Sequence, residues 1–409
     1  MVAEKQGFLK DNFYLLLGTG VINVTGFLFH FFMGRKLGPE GYGTLATLMA
    51  LVALLGIFST TIQFSISKFV ASFKAKNNVG ELRFLYHAAT KKINKYFVFL
   101  FLFSFVLNFF LSRFLSIPYW LLMLTSLIVL TIPSLAISRG FLQGLQRFKG
   151  YGENLGIEGL TKLLFGVFLV YLGWHVYGAI FAVLLSYLAA LLYGGFKIRD
   201  YAHGETKIFE TKEIYKYTLP MFFTVLFFTA FYSIDLILVK HFFNAVDAGN
   251  YAVVSLIGKV VFFASFSVVQ VMFPKAVELS ENKGAHKDLM WKSFGVITLI
   301  TLPILAVYYF FGEFVVSILF GNTYLNVVGL IAPYGMFMAA VSFSKLLSLY
   351  MLSLKKFNFL YLFLLFFLLE IGGIWVYHGS LEEVIHVLNW LGLAFMVFML
   401  LVVSGVKQK

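Results

Sequence analysis

The sequence predicts an all-α polytopic membrane protein of about twelve transmembrane helices in two six-helix bundles. Three observations point there. First, 60% of the 409 residues are hydrophobic and only 12% are charged, too little polar surface for a soluble chain of this length. Second, the apolar residues gather into runs long enough to cross a bilayer, which takes about 20 residues per helix. Third, the two halves of the chain carry matching features at a nearly constant offset.

The runs fall at 12–34, 44–66, 96–116, 119–142, 157–174, 176–197, 216–240, 250–273, 291–312, 327–353, 357–377 and 384–404. The first follows Lys5 and Lys10 with no convincing cleavage site after it, so it reads as a signal anchor retained as a span. The second is set off by Leu37-Gly-Pro-Glu-Gly-Tyr-Gly43, in which Gly41, Tyr42 and Gly43 read as turn chemistry. Between the second and third spans lie Lys68, Lys74, Lys76, Arg83, Lys91, Lys92 and Lys95. The spans at 157–174 and 357–377 are among the shorter ones, and the stretch from Lys197 to Lys216 links the halves. The expected units are residues 1–205 and 206–409.

Loop charge sets the orientation. With the even-numbered connections inside, 24 of the 32 Lys and Arg lie in inner loops and tails, four outside and four within spans. Basic loops stay cytoplasmic, so both termini are expected there, in the cell membrane. The net charge of +13 fits basic loops against anionic lipid, and no nucleic-acid partner is expected. The chain has no cysteine, which excludes disulfides and thiolate chemistry. No G-x-x-x-x-G-K-[ST] motif is present, so direct ATP drive is not expected.

The repeat is visible in three places. Gln63-Phe-Ser-Ile-Ser-Lys68 realigns with Gln270-Val-Met-Phe-Pro-Lys275, and Pro39–Gly43 with Val246–Asn250, both at an offset of 207. Leu145-Gln-Arg-Phe148 meets Leu354-Lys-Lys-Phe357 at 209. Six spans per half is an even number, so the halves share one orientation and their axis would run along the membrane normal.

Leu37–Ala46, and Ser138-Arg-Gly-Phe-Leu-Gln-Gly-Leu-Gln-Arg-Phe148 at the end of the fourth span, resemble motifs of polysaccharide and lipid-linked oligosaccharide flippases. These belong to the multidrug/oligosaccharidyl-lipid/polysaccharide exporter superfamily. The second half lacks the glycines of the latter motif, with Leu349 and Ser353 standing where Gly140 and Gly144 map. The resemblance implies a MATE-like fold, with two bundles around a central cavity that opens alternately to each side. It implies a polyprenyl-linked saccharide with a phosphate or pyrophosphate as cargo.

Four basic residues lie inside apolar runs: Arg139, Lys162, Lys259 and Lys345. A charge at mid-bilayer costs about 2.5–3.5 kcal/mol on insertion scales, so such residues face a bundle interior or a wet cavity, or snorkel to the headgroups. Arg139 has Gln143 and Gln146 on its face and can hold phosphate through two parallel N–H bonds. Lys345 is flanked by Ser342 and Ser348, and Lys259 has Gln270 three turns along. Lys162 follows Glu158 at i+4, the spacing of an intrahelical ion pair. Asp235, with Thr224, Phe228 and Phe231 behind it, and Glu370 either pair with a lysine or serve in coupling to Na+, H+ or the membrane potential. Thr19, Asn23, Gly26 and His30 form a stripe on the first span that reads as a helix-packing face.

The expected function is a non-enzymatic flippase. It would move a polyprenyl-(pyro)phosphate-linked oligosaccharide from the inner to the outer leaflet by alternating access through an electropositive central cavity. It would act as a monomer, with membrane lipids as its surroundings and no cofactor. Two alternatives remain open. A cation-coupled multidrug exporter would want acidic residues to dominate the spans. A membrane-embedded glycosyltransferase would want sizeable outer loops, and here these offer little beyond Glu40, Asp247, Glu313, Glu382 and Glu383. Single cysteines at Asn77 and Ala285 should resist an impermeant thiol reagent added to intact cells, while one at Asn322 should react. The reverse labelling would overturn the orientation.

Overall fold

The computed structural model describes residues 2–209, 212–281, 286–354, 356 and 359–405, and every regular element among them is helical. The side chains of Thr224, Phe228 and Gln270, and the residues Ala285, Lys355 and Phe357, lie outside the described set. The helices are α1 (Val2–Ala75), α2 (Val79–Leu115), α3 (Tyr119–Ser126), α4 (Ile128–Gly144), α5 (Phe148–Tyr171), α6 (His175–Lys197) and α7 (Lys212–Phe231). They continue with α8 (Ile234–Phe242), α9 (Ala245–Glu281), α10 (His286–Phe310), α11 (Gly312–Leu319), α12 (Val328–Ser353), α13 (Phe359–Val376) and α14 (Leu381–Ser404). Among the described residues, eleven helices are long and apolar enough to cross a membrane. The first of these, Leu17–Ala75, holds two of the twelve sequence-predicted spans.

Those two spans are separated by a kink rather than a loop. Gly38 sits at φ 67° and ψ 179°, inside what is otherwise one 74-residue helix. Pro39 has no N–H and its ring clashes with a carbonyl one turn back, which breaks the helix, while Gly38 supplies a positive φ that a side chain resists. A second departure from expectation follows. The basic stretch 67–95 is not a loop: α1 runs on to Ala75, three residues turn the chain, and α2 begins at Val79. Helical geometry makes the 37 residues of α2 about 55 Å long, against about 30 Å of hydrocarbon.

The chain divides into two compact units. The first comprises residues 1–37 and 44–229, and the second 38–43 and 230–409. In the first unit, α5 approaches α1 along a glycine seam. A Cβ on Gly152 would strike Tyr14 and Gly18, one on Gly159 would strike Thr25 and Ile22, and one on Gly166 would strike Phe29 and Met33. The seven-residue spacing keeps these glycines on one face, the small-residue route to close packing in a membrane. The packing face of α1 is therefore Gly18, Thr25, Phe29 and Met33, next to the predicted Thr19–His30 stripe. At the end where α1 turns into α2, Phe69, Phe73, Leu82, Leu85, Phe141 and Leu142 form an apolar cluster, capped by Phe209. Phe209 stacks edge-on to Phe73 and Phe84.

In the second unit, the segment Gly38–Gly43 lies on the start of α9. A Cβ on Gly249 would fall on the Pro39 backbone, and one on Gly43 would fall on Gly249. Tyr42 is buried, with its ring 5.6 Å from Phe320. The turn motif thus owes its glycines to backbone contact as well as to turning. The span expected at 216–240 is discontinuous: α7 stops at Phe231, Tyr232 and Ser233 interrupt it, and α8 resumes at Ile234. Gly249→Ala should lower stability by about 1–3 kcal/mol, the usual cost of overpacking. Gly295→Ala, where a Cβ meets nothing within 4 Å, should leave it unchanged or slightly raised. Melting curves of the purified variants check both.

Candidate functional site

The charged residues predicted from sequence fall into two groups, one in each unit. In the first unit, α4, α5 and α6 converge on Arg139. Its side chain forms an ion pair with Glu158 of α5 through Nη2, and its Nε donates to Asn154 Oδ1 at 2.7 Å. Asn154 in turn donates to the Ala190 carbonyl on α6 at 2.5 Å. Arg139 is only 9% exposed. It neither snorkels nor uses the glutamines expected to share its face. Gln143 instead accepts from Gln63 Nε2 at 3.0 Å, a nitrogen that also lies 3.0 Å from the Tyr151 hydroxyl. Gln146 lies beyond the end of α4.

Glu158 therefore gives its ion pair to Arg139 from a neighbouring helix. Lys162, one turn along α5, stays within electrostatic reach of Glu158. Its ammonium lies 5.6 Å from the centre of the Phe29 ring and would sit 3.8 Å from a Cβ on Gly26. One carboxylate against two cations leaves this trio with net positive charge. The Ser138–Phe148 motif also has a packing role. A Cβ on Gly140 would meet Ile66 and the Gln63 carbonyl at 2.8–2.9 Å, and one on Gly144 would meet Ser67 and Val70 at 2.6–2.8 Å. The Lys74 ammonium donates to the Leu145 carbonyl at 2.7 Å.

In the second unit, Asp235 lies in the first turn of α8, just after the break, where the helix dipole favours an anion. Its Oδ2 accepts from the Tyr251 hydroxyl at 2.8 Å and the Tyr334 hydroxyl at 2.6 Å. The Tyr334 oxygen is also 3.0 Å from Ser255 Oγ. Asp235 and Glu370 are both fully buried. Asp235 Oδ1 and both oxygens of Glu370 have no hydrogen-bond partner among the described residues. The two carboxylates and Lys259 lie within electrostatic reach of one another. The sequence offers Asp235 and Glu370 each as a coupling group or a lysine partner, and the fold brings both within electrostatic reach of Lys259.

Lys259 and Lys345 approach the same aromatic pair. The Lys345 ammonium is 4.5 Å from the Phe262 ring centre, Lys259 is 5.9 Å from that of Tyr232, and the two rings are 5.3 Å apart. The hydroxyls of Ser342 and Ser348 donate to carbonyls of their own helix at 2.8 and 2.7 Å. Sequence reasoning missed Asn154, Tyr232, Tyr251, Phe262 and Tyr334. Helical spacing could have found three of them: Phe262 three residues after Lys259, Tyr251 eight before it, and Asn154 four before Glu158.

Two bundles of apolar helices with buried charges define a polytopic membrane protein of the MATE fold. The chain belongs to the family described as polysaccharide biosynthesis protein, whose match spans residues 8–280. An uncharacterised membrane protein of Methanocaldococcus jannaschii is 25% identical over 322 residues, covering 74% of this chain and 76% of that one. The inward-facing structure of a multidrug-resistance MATE transporter of the MOP superfamily superposes with a TM-score of 0.77 at 12% identity, covering 95% of this chain and 98% of its own. The lipid II flippase MurJ, in an inward closed conformation, gives 0.74 at 13% identity, with 95% and 87% covered. A MOP-superfamily transporter from Pyrococcus furiosus, whose binding pocket is described as having reversed polarity, gives 0.68 at 13%, with 98% and 96% covered.

Removing one partner of a buried ion pair strands the other charge, at about 3–5 kcal/mol. Arg139→Gln should therefore destabilise the first unit by roughly that amount, and Glu158→Gln similarly. The double replacement Arg139→Leu with Glu158→Leu should recover most of the loss. Thermal unfolding of the three variants in one detergent tests this.

Proposed function

We propose that this chain is a flippase for a polyprenyl-linked saccharide bearing a phosphate or pyrophosphate, working by alternating access from the inner to the outer leaflet. The observation that carries this reading is the pair Lys259 and Lys345 with the rings of Tyr232 and Phe262 between them. Ammonium groups compensate a phosphate that has left water, and aromatic faces suit the apolar faces of sugars or an isoprenoid. Lys162 is the further cation in this reading, being the charge that Glu158 does not cancel. Arg139 contributes through its pairing, as the residue that holds Glu158 and so leaves Lys162 in excess. Family membership supports a place in polysaccharide biosynthesis. The likeness to the lipid II flippase and to a MOP transporter of reversed pocket polarity supports a lipid-linked or anionic cargo over a cationic drug.

Asp235 and Glu370 are the proposed coupling groups. Among the described residues, three buried carboxylate oxygens of these two acids have no hydrogen-bond partner, and carboxylate oxygen suits a proton or Na+. With both acids ionised, their two negative charges offset Lys259 and Lys345. A proton or monovalent cation bound at the acids leaves the ammonium groups in excess for the phosphate, and the two tyrosine hydroxyls hold Asp235 in place for it.

Flipping can be followed in proteoliposomes holding a fluorescent polyprenyl-pyrophosphate oligosaccharide, with an impermeant quencher reporting the outer leaflet. Lys345→Gln should slow flipping at least tenfold while melting as the native protein does, and Lys259→Gln should slow it as much with a lowered melting temperature, since it strands two buried carboxylates. Asp235→Asn or Glu370→Gln should keep slow equilibration and lose the response to an imposed Na+ or pH gradient. Undiminished flipping in both lysine variants, or transport of cationic dyes in place of the lipid, would overturn the assignment.

A further inference from the structure

The helical pair α13 and α14 encloses a groove of about 560 Å³, a size typical of small-molecule sites. Its walls are apolar: Leu368 on one side, Val387, Trp390 and Leu391 on the other, with Gly372 between. Leu368 and Trp390 are 56% and 74% exposed, so the groove opens outward to the bilayer. Gly372 makes the space, since a Cβ there would meet nothing within 4 Å. A Cβ on neighbouring Gly373 would instead lie 2.7 Å from Val387 Cγ1, so the missing side chain there permits the close approach of the two helices.

Side chains with polar groups stand at one end of the groove, whose surface is almost wholly apolar. Tyr377, Glu383 and His386 line it, all near the turn that joins the helices. Glu383 is held in place: its Oε2 accepts the Gly379 N–H at 2.9 Å, leaving Oε1 for a ligand. An apolar slot within membrane-spanning helices, with a fixed polar end where they leave the membrane, matches an amphiphile lying along the helix axis. Charge then selects the headgroup. The chain carries a net charge of +13, yet has no Lys or Arg from Phe357 to Val406. The turn end of this hairpin is a carboxylate environment in an otherwise basic protein. It disfavours a purely anionic headgroup and favours one with a cationic hydrogen-bond donor.

We propose that this groove binds one bilayer lipid with a primary-ammonium headgroup, of the phosphatidylethanolamine class. Its ammonium lies against Glu383, its phosphate takes donors from Tyr377 and His386, and an acyl chain fills the slot over Gly372. The site lies within the second unit and does not depend on what the protein transports.

Native mass spectrometry of the delipidated full chain tests it, using phosphatidylethanolamine and phosphatidylglycerol with identical acyl chains. The native protein should retain one phosphatidylethanolamine about tenfold better than phosphatidylglycerol, the scale of one charge-assisted hydrogen bond. Gly372→Leu, which fills open space, should keep its melting temperature without added lipid and lose the retained lipid. Glu383→Gln, at an exposed residue, should hold both lipids equally. Retention of phosphatidylethanolamine by Gly372→Leu at the native level would overturn the groove. Equal retention of both lipids by the native protein, or a preference for phosphatidylglycerol, would overturn the headgroup assignment. A dimer forming in place of a lipid adduct would overturn the occupant. Should Gly372→Leu fail to accumulate, the Glu383→Gln comparison decides by itself.

Discussion

Hydrocarbon does not solvate an ion, and each charged residue in these spans is placed by that constraint. Arg139 and Glu158 satisfy it by direct pairing, with Asn154 taking a further guanidinium donor. Lys259 and Lys345 meet ring faces, where the quadrupole of the ring offers partial compensation. Asp235 recruits two tyrosine hydroxyls and the start of a helix. Glu370 has no hydrogen-bond partner for either oxygen among the described residues and has Lys259 within electrostatic reach. The helix breaks follow the same logic. The interruption at Tyr232 and Ser233 puts Asp235 at a helix start inside a span, where its charge is offset by backbone dipoles.

Much of the fold was legible because membrane spans obey length and hydropathy almost alone. The ends were less legible. Residues 67–95 are polar and basic, and so read as a loop, yet they are helical almost throughout. Helix formation there rests on the Phe69–Phe73–Leu82–Leu85 cluster, whose partners come from α4 and from Phe209, far away in sequence. The break at Ser233 escaped notice because no Gly or Pro marks it.

The site was legible as residue types and hidden as partnerships. Glu158 and Lys162 have the spacing of an intrahelical pair, and that local rule lost to Arg139, whose Nη2 reaches the same carboxylate from another helix. Asp235 and Tyr334 are 99 positions apart, and no local pattern predicts their bond. The Ser138–Phe148 motif was recognisable as a family signature, but its glycines are explained by backbone and side chains of α1 standing less than 3 Å from where a Cβ would be.

The unusual length of α2 has a practical side. Roughly 25 Å of it lies beyond the hydrocarbon thickness, paired with the end of α1 and closed by a turn at Lys76–Asn78. Small membrane proteins lacking soluble domains are hard to align in single-particle images, because little stands out from the detergent belt. A helical hairpin with a packed aromatic base is a ready handle. A rigid helical fusion spliced at Asn77, or an antibody fragment raised against the hairpin, would give the particle a feature to orient by without touching any buried charge.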